Sequence, residues 1–262
     1  MVRRPLGNHH HGPDTLLVTS DAKQTAAVTA ETAKLRERIT GARFVLFDFD
    51  GPICRLFARH AAEHVASQLV EWLESRGLRG LLTEEERVHP DPHYVLEAIH
   101  RRHPQSDLVT ELEERLTQQE LKAAASAMPT PYADPLIRTW STVGGQLAIA
   151  TNNSARVAAD YLATRGLASC FAPYVFGRTV DLDLLKPHPH CLNQALNAMG
   201  ADRSLSLMIG DAPSDFFAAQ DAGVEFLGYA RNEDKEKSLR NAGADIVVHS
   251  LEPLLLILRG QA

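Results

Sequence analysis

The run Phe44-Val45-Leu46-Phe47-Asp48-Phe49-Asp50-Gly51 sets four apolar residues directly before two carboxylates and a glycine. A short unbroken apolar run that ends at a turn residue reads as a strand buried on both faces. Strand side chains alternate with period two, so Asp48 and Asp50 at its mouth are expected to project the same way. Like charges that close repel each other, and burial raises the cost. A chain that keeps such a pair holds something there to offset it, usually a divalent metal or a proton. This end of the strand is therefore a chemical site.

Before it, residues 1–26 read as a loosely attached leader containing His9-His10-His11, and the spacing of Leu35 and Ile39 predicts a helix over 27–39 that Gly41 stops. After it, from Phe57 to Ala133, the pattern is helical almost throughout. Val65, Leu69 and Leu73 repeat every four residues, Tyr94, Leu96 and Ile99 follow Pro92, and Leu108, Leu112, Leu116 and Leu121 mark a third helix. Pro129 and Pro131 break the run. No strand is expected in this block, which reads as a helical lid inserted between strand-bearing segments.

Past Pro135 the pattern alternates. Strands are expected at Leu147–Ala150, Tyr174–Phe176, Leu205–Ile209, Val224–Leu227 and Ile246–Val248. Helices are expected after Thr151-Asn152-Asn153-Ser154 to about Gly166, from Pro187 to near Gly200, through Phe217 to Gly223, over Glu233–Asn241 and over Leu251–Leu258. Such alternation implies an α/β fold, a parallel sheet covered on both faces.

The bulk properties agree with a globular domain: 262 residues, 44% hydrophobic, 23% charged, net charge -6. No basic stripe with interleaved aromatics argues for nucleic acid. The apolar run Leu254–Leu258 is far shorter than the ~20 residues a bilayer requires, and no apolar segment follows Arg3 and Arg4 as a signal peptide would need. Cys54, Cys170 and Cys191, odd in number and far apart, suit reduced thiols and a cytoplasmic protein. Cys54 reads as a small buried side chain, since no basic partner adjoins it.

In open parallel sheets, ligands bind beyond the carboxyl ends of the strands. Four groups fall at such ends: Asp48 with Asp50, Thr151, Lys186, and Asp211 with Asp215. Singly, each also has a structural reading. Thr151 and its Asn neighbours can cap a helix, Lys186 can be a solvated lysine, and Asp211 and Asp215 can charge a helix N-terminus. Together they form a complementary set. One Asp can attack a phosphoryl group to give an aspartyl-phosphate, and a second acid can protonate the departing oxygen and later deprotonate water. Carboxylates on a neighbouring strand are hard oxygen ligands suited to Mg²⁺. The Thr151 hydroxyl, the helix N-terminus behind it and the Lys186 charge are donors that phosphoryl oxygens require.

Asp48-Phe49-Asp50-Gly51, Thr151 after an apolar strand, Lys186 before Pro187, and Gly210-Asp211-Ala212-Pro213-Ser214-Asp215 resemble, in order, the motifs of the haloacid-dehalogenase-like hydrolase superfamily. The resemblance implies a Rossmann-like, doubly wound parallel sheet with an inserted α-helical cap: a core of residues 27–56 plus 134–262 and a cap of 57–133, as in the phosphoglycolate phosphatase and β-phosphoglucomutase-like branch. It implies that Asp48 is the nucleophile, Asp50 the general acid/base, and Thr151 with Asn152 the phosphoryl cradle. Lys186 would neutralise nucleophile and phosphate. Mg²⁺ would be held by Asp48, the Asp50 carbonyl and Asp211, with Asp215 behind them or linked through water. The implied reaction is phosphomonoester hydrolysis on a small phosphorylated metabolite. Within the family Asp50 argues against dehalogenation, since halide leaves unprotonated. A phosphosugar mutase and a non-catalytic protein of the same fold remain alternatives. Pro52, Arg55 and Leu56 depart from the commonest pattern, and Arg55 is a candidate for meeting an anionic leaving group.

Overall fold

The computed structural model describes residues 31–261, so the leader 1–26 and the first turn of the helix expected from Ala27 lie outside the described residues. Residues 31–41 form helix α1. Strand β1 (Phe44–Phe47) is the centre of a six-stranded, wholly parallel sheet. Its neighbours are β4 (Gln146–Ala150) and β6 (Ser206–Gly210), with Phe47 opposite Ile149 on one side and Ile209 on the other. Beyond β4 lies β5 (Val175–Phe176), and beyond β6 lie β7 (Glu225–Tyr229) and β8 (Val247–Val248). The fold is α/β, Rossmann-like and doubly wound.

The period of two along β1 divides the core. Val45 and Phe47 join Leu147, Ile149, Leu207 and Ile209 on one face. There they meet α1, α6 (Ala133–Thr142), α7 (Ala155–Thr164) and α12 (Glu252–Leu258). Leu46 joins Ala148, Ala150 and Met208 on the other face, against α9 (His190–Met199), α10 (Pro213–Ala222) and α11 (Glu233–Ala242). Phe47 is locked edge-on between Trp140 and Phe171 of α8 (Ala168–Phe171), with centroids 6.2 and 6.1 Å away. Successive connections from β1 run to β4 on one side and later to β6 on the other, which puts the crevice of the sheet at the end of β1.

The helical segment contributes α2 (Ala62–Ser75), α4 (Pro92–Arg102) and α5 (Asp107–Ala124), which share a separate apolar cluster built on Val65, Leu69, Leu96, Ile99, Leu112 and Leu116. Leu182 and Leu185, from the loop after β5, pack into the same cluster.

Four local expectations need correction. The segment 57–133 does contain strand structure: β3 (Met128–Pro129) pairs antiparallel with β2 (Cys54–Arg55), where the chain enters and leaves the helical segment. A two-residue ladder is too short to show a period. The short helix α3 (Glu84–Arg87), closed by a Thr83–Glu86 capping box, and α6 had not been expected as elements. Finally, α9 starts at His190 rather than Pro187, because Pro189 disfavours the helical conformation at His188 and postpones the start. Among the described residues no helix is long and apolar enough to cross a membrane.

Candidate active site

The carboxyl ends of β1, β4 and β6, with the loop after β5, open into one cavity of about 610 Å³ whose lining includes Asp48, Asp50, Thr151, Asn152, Lys186, Asp211 and Asp215. Residues from positions 48 to 215 thus converge. Arg55 does not line this cavity. It is exposed in an adjoining cleft of about 380 Å³ that shares Asp50, Phe57 and Arg231 with it.

Lys186 is the hub. Its buried ammonium donates to Asp48 Oδ1 at 2.9 Å, Asp215 Oδ1 at 2.5 Å and the Ala150 carbonyl at 2.9 Å, using all three protons. Burial alone would lower its pKa, but Asp215 and Asp48 outweigh burial and hold the lysine cationic. Its backbone is fixed by Asn152, whose Oδ1 accepts from the Lys186 amide at 2.8 Å and whose Nδ2 donates to the Lys186 carbonyl at 3.0 Å. Asn152 therefore places the lysine through its side chain. Thr151 is buried, and its Oγ1 accepts from the Asn153 amide at 3.2 Å.

Asp50 turns its Oδ1 to the Leu56 amide at 2.8 Å. Burial, only partly offset by that bond and reinforced by Asp48, pushes its pKa up to about 6. Asp211 forms an ion pair with Lys235 at 2.7 Å, yet burial still raises its pKa to about 6. Asp215 accepts the amides of Asp211 and Ala212 on Oδ2, both at 3.0 Å, and so ties the start of α10 to the end of β6. Burial, incompletely countered by Lys186, pushes Asp215 up to about 7.

Two glycines permit this crowding. Gly51 sits at φ +120, and a Cβ there would lie 2.5 Å from Asp211 Cγ. A Cβ on Gly210 would overlap the Asp215 side chain. Ligand atoms of Asp48, Asp211 and Asp215 come within 4.8 Å of one another, and all three residues are buried. Hard carboxylate oxygens so concentrated fit a hard divalent cation such as Mg²⁺.

Several residues around the cavity escaped sequence reasoning. Arg231 and Lys235 line it from just beyond β7, where the strand-end rule could have found them. Thr130, next to β3, donates to the Gly51 carbonyl at 2.5 Å and steadies the loop after β1. Most consequential is a buried ionic knot behind Thr151-Asn152-Asn153-Ser154. Arg178 Nη1 and Nη2 donate to Glu120 Oε1 and Oε2 at 2.9 and 3.2 Å, Nε donates to Glu113 at 3.0 Å, and Nη2 also donates to Thr117 at 3.0 Å. Glu120 further accepts the Ser154 amide at 3.1 Å and Asn153 Nδ2 at 3.0 Å, while His93 Nε2 lies 3.3 Å from it. Burial would lower the His93 pKa, but bonds to Asp91 and Glu120 outweigh it and raise the value to about 9. His93 also lines the cavity, which places a cation at its helical wall. Cys54 is buried, and burial beside Asp50 and Asp48 pushes its thiol far above the ordinary range, so it is no nucleophile.

Comparison with known proteins bears on the family and the fold. Pyrophosphatase PpaX of Halalkalibacterium halodurans is 34% identical over 122 residues, 45% of this chain and 54% of that protein. A phosphoglycolate phosphatase of Vibrio cholerae is 30% identical over 109 residues, 42% of this chain and 47% of that protein. The chain thus spans about half the length of these curated relatives. The crystal structure of a predicted phosphatase from Clostridium acetobutylicum shares the fold, with a TM-score of 0.62 at 17% identity over 84% of this chain and 99% of that one. The family model for hydrolases of the haloacid dehalogenase-like type matches residues 42–223, well over half of the sequence. On that match the chain belongs to the haloacid dehalogenase-like hydrolase family.

Proposed function

We propose that this protein is a Mg²⁺-dependent phosphomonoester hydrolase of the cytoplasm, acting on a small phosphorylated metabolite through an aspartyl-phosphate on Asp48. The observation that carries the reading is the seat of Lys186, whose ammonium joins Asp48 and Asp215 at the floor of the cavity of about 610 Å³. In this reading the Asp48 carboxylate attacks phosphorus, and the bond to the leaving oxygen breaks. Asp50, raised toward neutrality, gives that oxygen a proton and afterwards takes one from the water that hydrolyses the acyl phosphate. Thr151 and the backbone beside Asn152 hold the phosphoryl oxygens, and Lys186 keeps the nucleophile aligned and balances its charge. Asp48, the Asp50 carbonyl and Asp211 would hold Mg²⁺, with Asp215 behind them. When bound, the ion supplies positive charge against the phosphoryl oxygens and lessens repulsion between them and the carboxylates.

We further read residues 57–133 as a cap over a core of 27–56 plus 134–262, a division supported by the separate apolar cluster of α2, α4 and α5. His93 and Arg231, which line the cavity beyond the carboxylates, favour a leaving group with a second anionic charge. Pyrophosphate and phosphoglycolate, the substrates in the names of two relatives, are both of that kind. The free cysteines support a reducing compartment.

The test is phosphate release across a panel of phosphorylated carboxylic acids, diphosphates and neutral sugar phosphates, with and without Mg²⁺. Asp48→Asn should bring hydrolysis to background with an unchanged far-UV CD spectrum; retained turnover would refute the nucleophile.

A further inference from the structure

Helix α4 and the loop after β5 bring together a second group of ligand-capable side chains. His100 is only 3% exposed, yet neither of its ring nitrogens has a hydrogen-bond partner in the protein. Nε2 points at Asp183, and the N···O distance to its Oδ1 is 3.4 Å. Asp181 stands beside them, and ligand atoms of His100, Asp181 and Asp183 all lie within 4.8 Å of one another. Glu97, one helical turn before His100, lines the same small pocket of about 220 Å³.

We infer that His100, Asp181 and Asp183 form a second metal site, selective for a divalent transition ion of the zinc type. The distance supports this. A hydrogen bond between imidazole and carboxylate would close to roughly 2.7–3.2 Å. Two ligand atoms about 2.0–2.2 Å from one ion at a tetrahedral angle stand roughly 3.4 Å apart. The donor chemistry agrees as well: imidazole with carboxylates suits Zn²⁺, whereas Mg²⁺ prefers oxygen alone. Asp181 is itself held in place, since its Oδ1 accepts the Asp183 amide at 3.1 Å.

The site joins two segments far apart in the chain. His100 belongs to the helical segment, and Asp183 stands three residues before Lys186. An ion there would clamp α4 to the loop that delivers the lysine, without touching the reacting atoms.

The experiment uses the full chain, stripped with chelator and then saturated with Mg²⁺, into which Zn²⁺ is titrated calorimetrically. One zinc equivalent should bind beyond the magnesium, and Co²⁺ should give a visible absorption band characteristic of a nitrogen ligand. His100→Ala and Asp183→Asn should each weaken that zinc binding at least tenfold and remove the band, with Mg²⁺-dependent turnover unchanged. Asp183 is largely exposed, with 79% of its side-chain surface accessible, so its substitution leaves folding intact. Zinc that merely displaces magnesium from the carboxylates of the cavity would bind both variants as it binds the parent. Superimposable isotherms for parent and Asp183→Asn, or zinc-edge diffraction with no anomalous peak beside His100, would overturn the assignment.

Discussion

Replacing Glu120 tests whether the helical segment props up the loop Thr151-Asn152-Asn153-Ser154. Glu120 is fully buried, and its two oxygens serve Arg178, the Ser154 amide and Asn153 Nδ2 together. Removing one partner of a buried ion pair costs about 3–5 kcal/mol, because the other charge is left without compensation. Arg178 retains Glu113 at 3.0 Å, which softens the loss, and glutamine retains one acceptor oxygen. Glu120→Gln should therefore cost about 3 kcal/mol. Glu120→Ala also orphans the Ser154 and Asn153 donors, at ~1–3 kcal/mol apiece, and should cost about 5 kcal/mol or more. In a chain of this size each kcal/mol moves the melting temperature by about 2 °C, which gives falls of roughly 6 and 10 °C. Urea unfolding followed by tryptophan fluorescence reads both sides of the contact, since Trp72 lies on α2 and Trp140 on α6. The double variant with Arg178→Met should lose less than the sum of the single variants. A loss under about 1 kcal/mol for the alanine variant would refute the reasoning, because no buried pair could then be at stake.

The same knot sets a pH window. Burial would raise the Glu120 pKa, but Arg178 and His93 more than reverse that and hold it well below the ordinary 4.5. Its contribution is present above pH 4.5 and disappears as the solution becomes more acidic. His93 moves the other way, from 6.5 to about 9. Its contribution is complete below pH 6.5 and is lost as pH rises through about 9. Wild-type stability should thus fall between these two values, and Glu120→Gln should flatten that decline. A wild-type profile with no slope there would contradict the geometry.

Asp50→Asn should lower kcat on alkyl phosphates by ~10²–10⁴ and on aryl phosphates much less, because an aryl oxide leaves with little protonation. Since burial lifts Asp50 to about 6, alkyl-ester turnover should decline as pH passes that value while its acid form is depleted; identical alkyl and aryl profiles would count against an acid role. Gly51→Ala puts a Cβ 2.5 Å from Asp211 Cγ at a φ of +120, so a magnesium titration of activity should show at least a tenfold weaker apparent affinity. An unchanged titration would detach Asp211 from the metal. Arg231→Ala should raise KM severalfold for substrates with a second anionic group and leave aryl phosphate almost untouched, and an equal effect on both would remove Arg231 from recognition.

What could be read beforehand follows from the range of the physics involved. β1 was visible because four apolar residues precede a charge, and the two carboxylates flagged its end because period two is a local property. Asp211 could be assigned to a strand end by the same rule and Lys186 to the approach to a helix, although their contacts with Lys235 and with Asp48 could not. The Glu120 knot shows where that kind of reading stops. Glu113, Thr117 and Glu120 recur at helical spacing along α5, while Leu112 and Leu116 carry its apolar contacts. In sequence this is an ordinary amphipathic helix with a solvated polar side. The polar side is buried only because Arg178 arrives from the end of β5, and Arg178 is held there because Asn153 accepts its backbone amide at 2.9 Å. Neither half predicts the other, since a charge on a helix face looks the same whether water or guanidinium meets it. Pairings of this kind tie the loop Thr151-Asn152-Asn153-Ser154 to the helical segment, so the residues that join the cavity floor to that segment are the ones least visible in the chain.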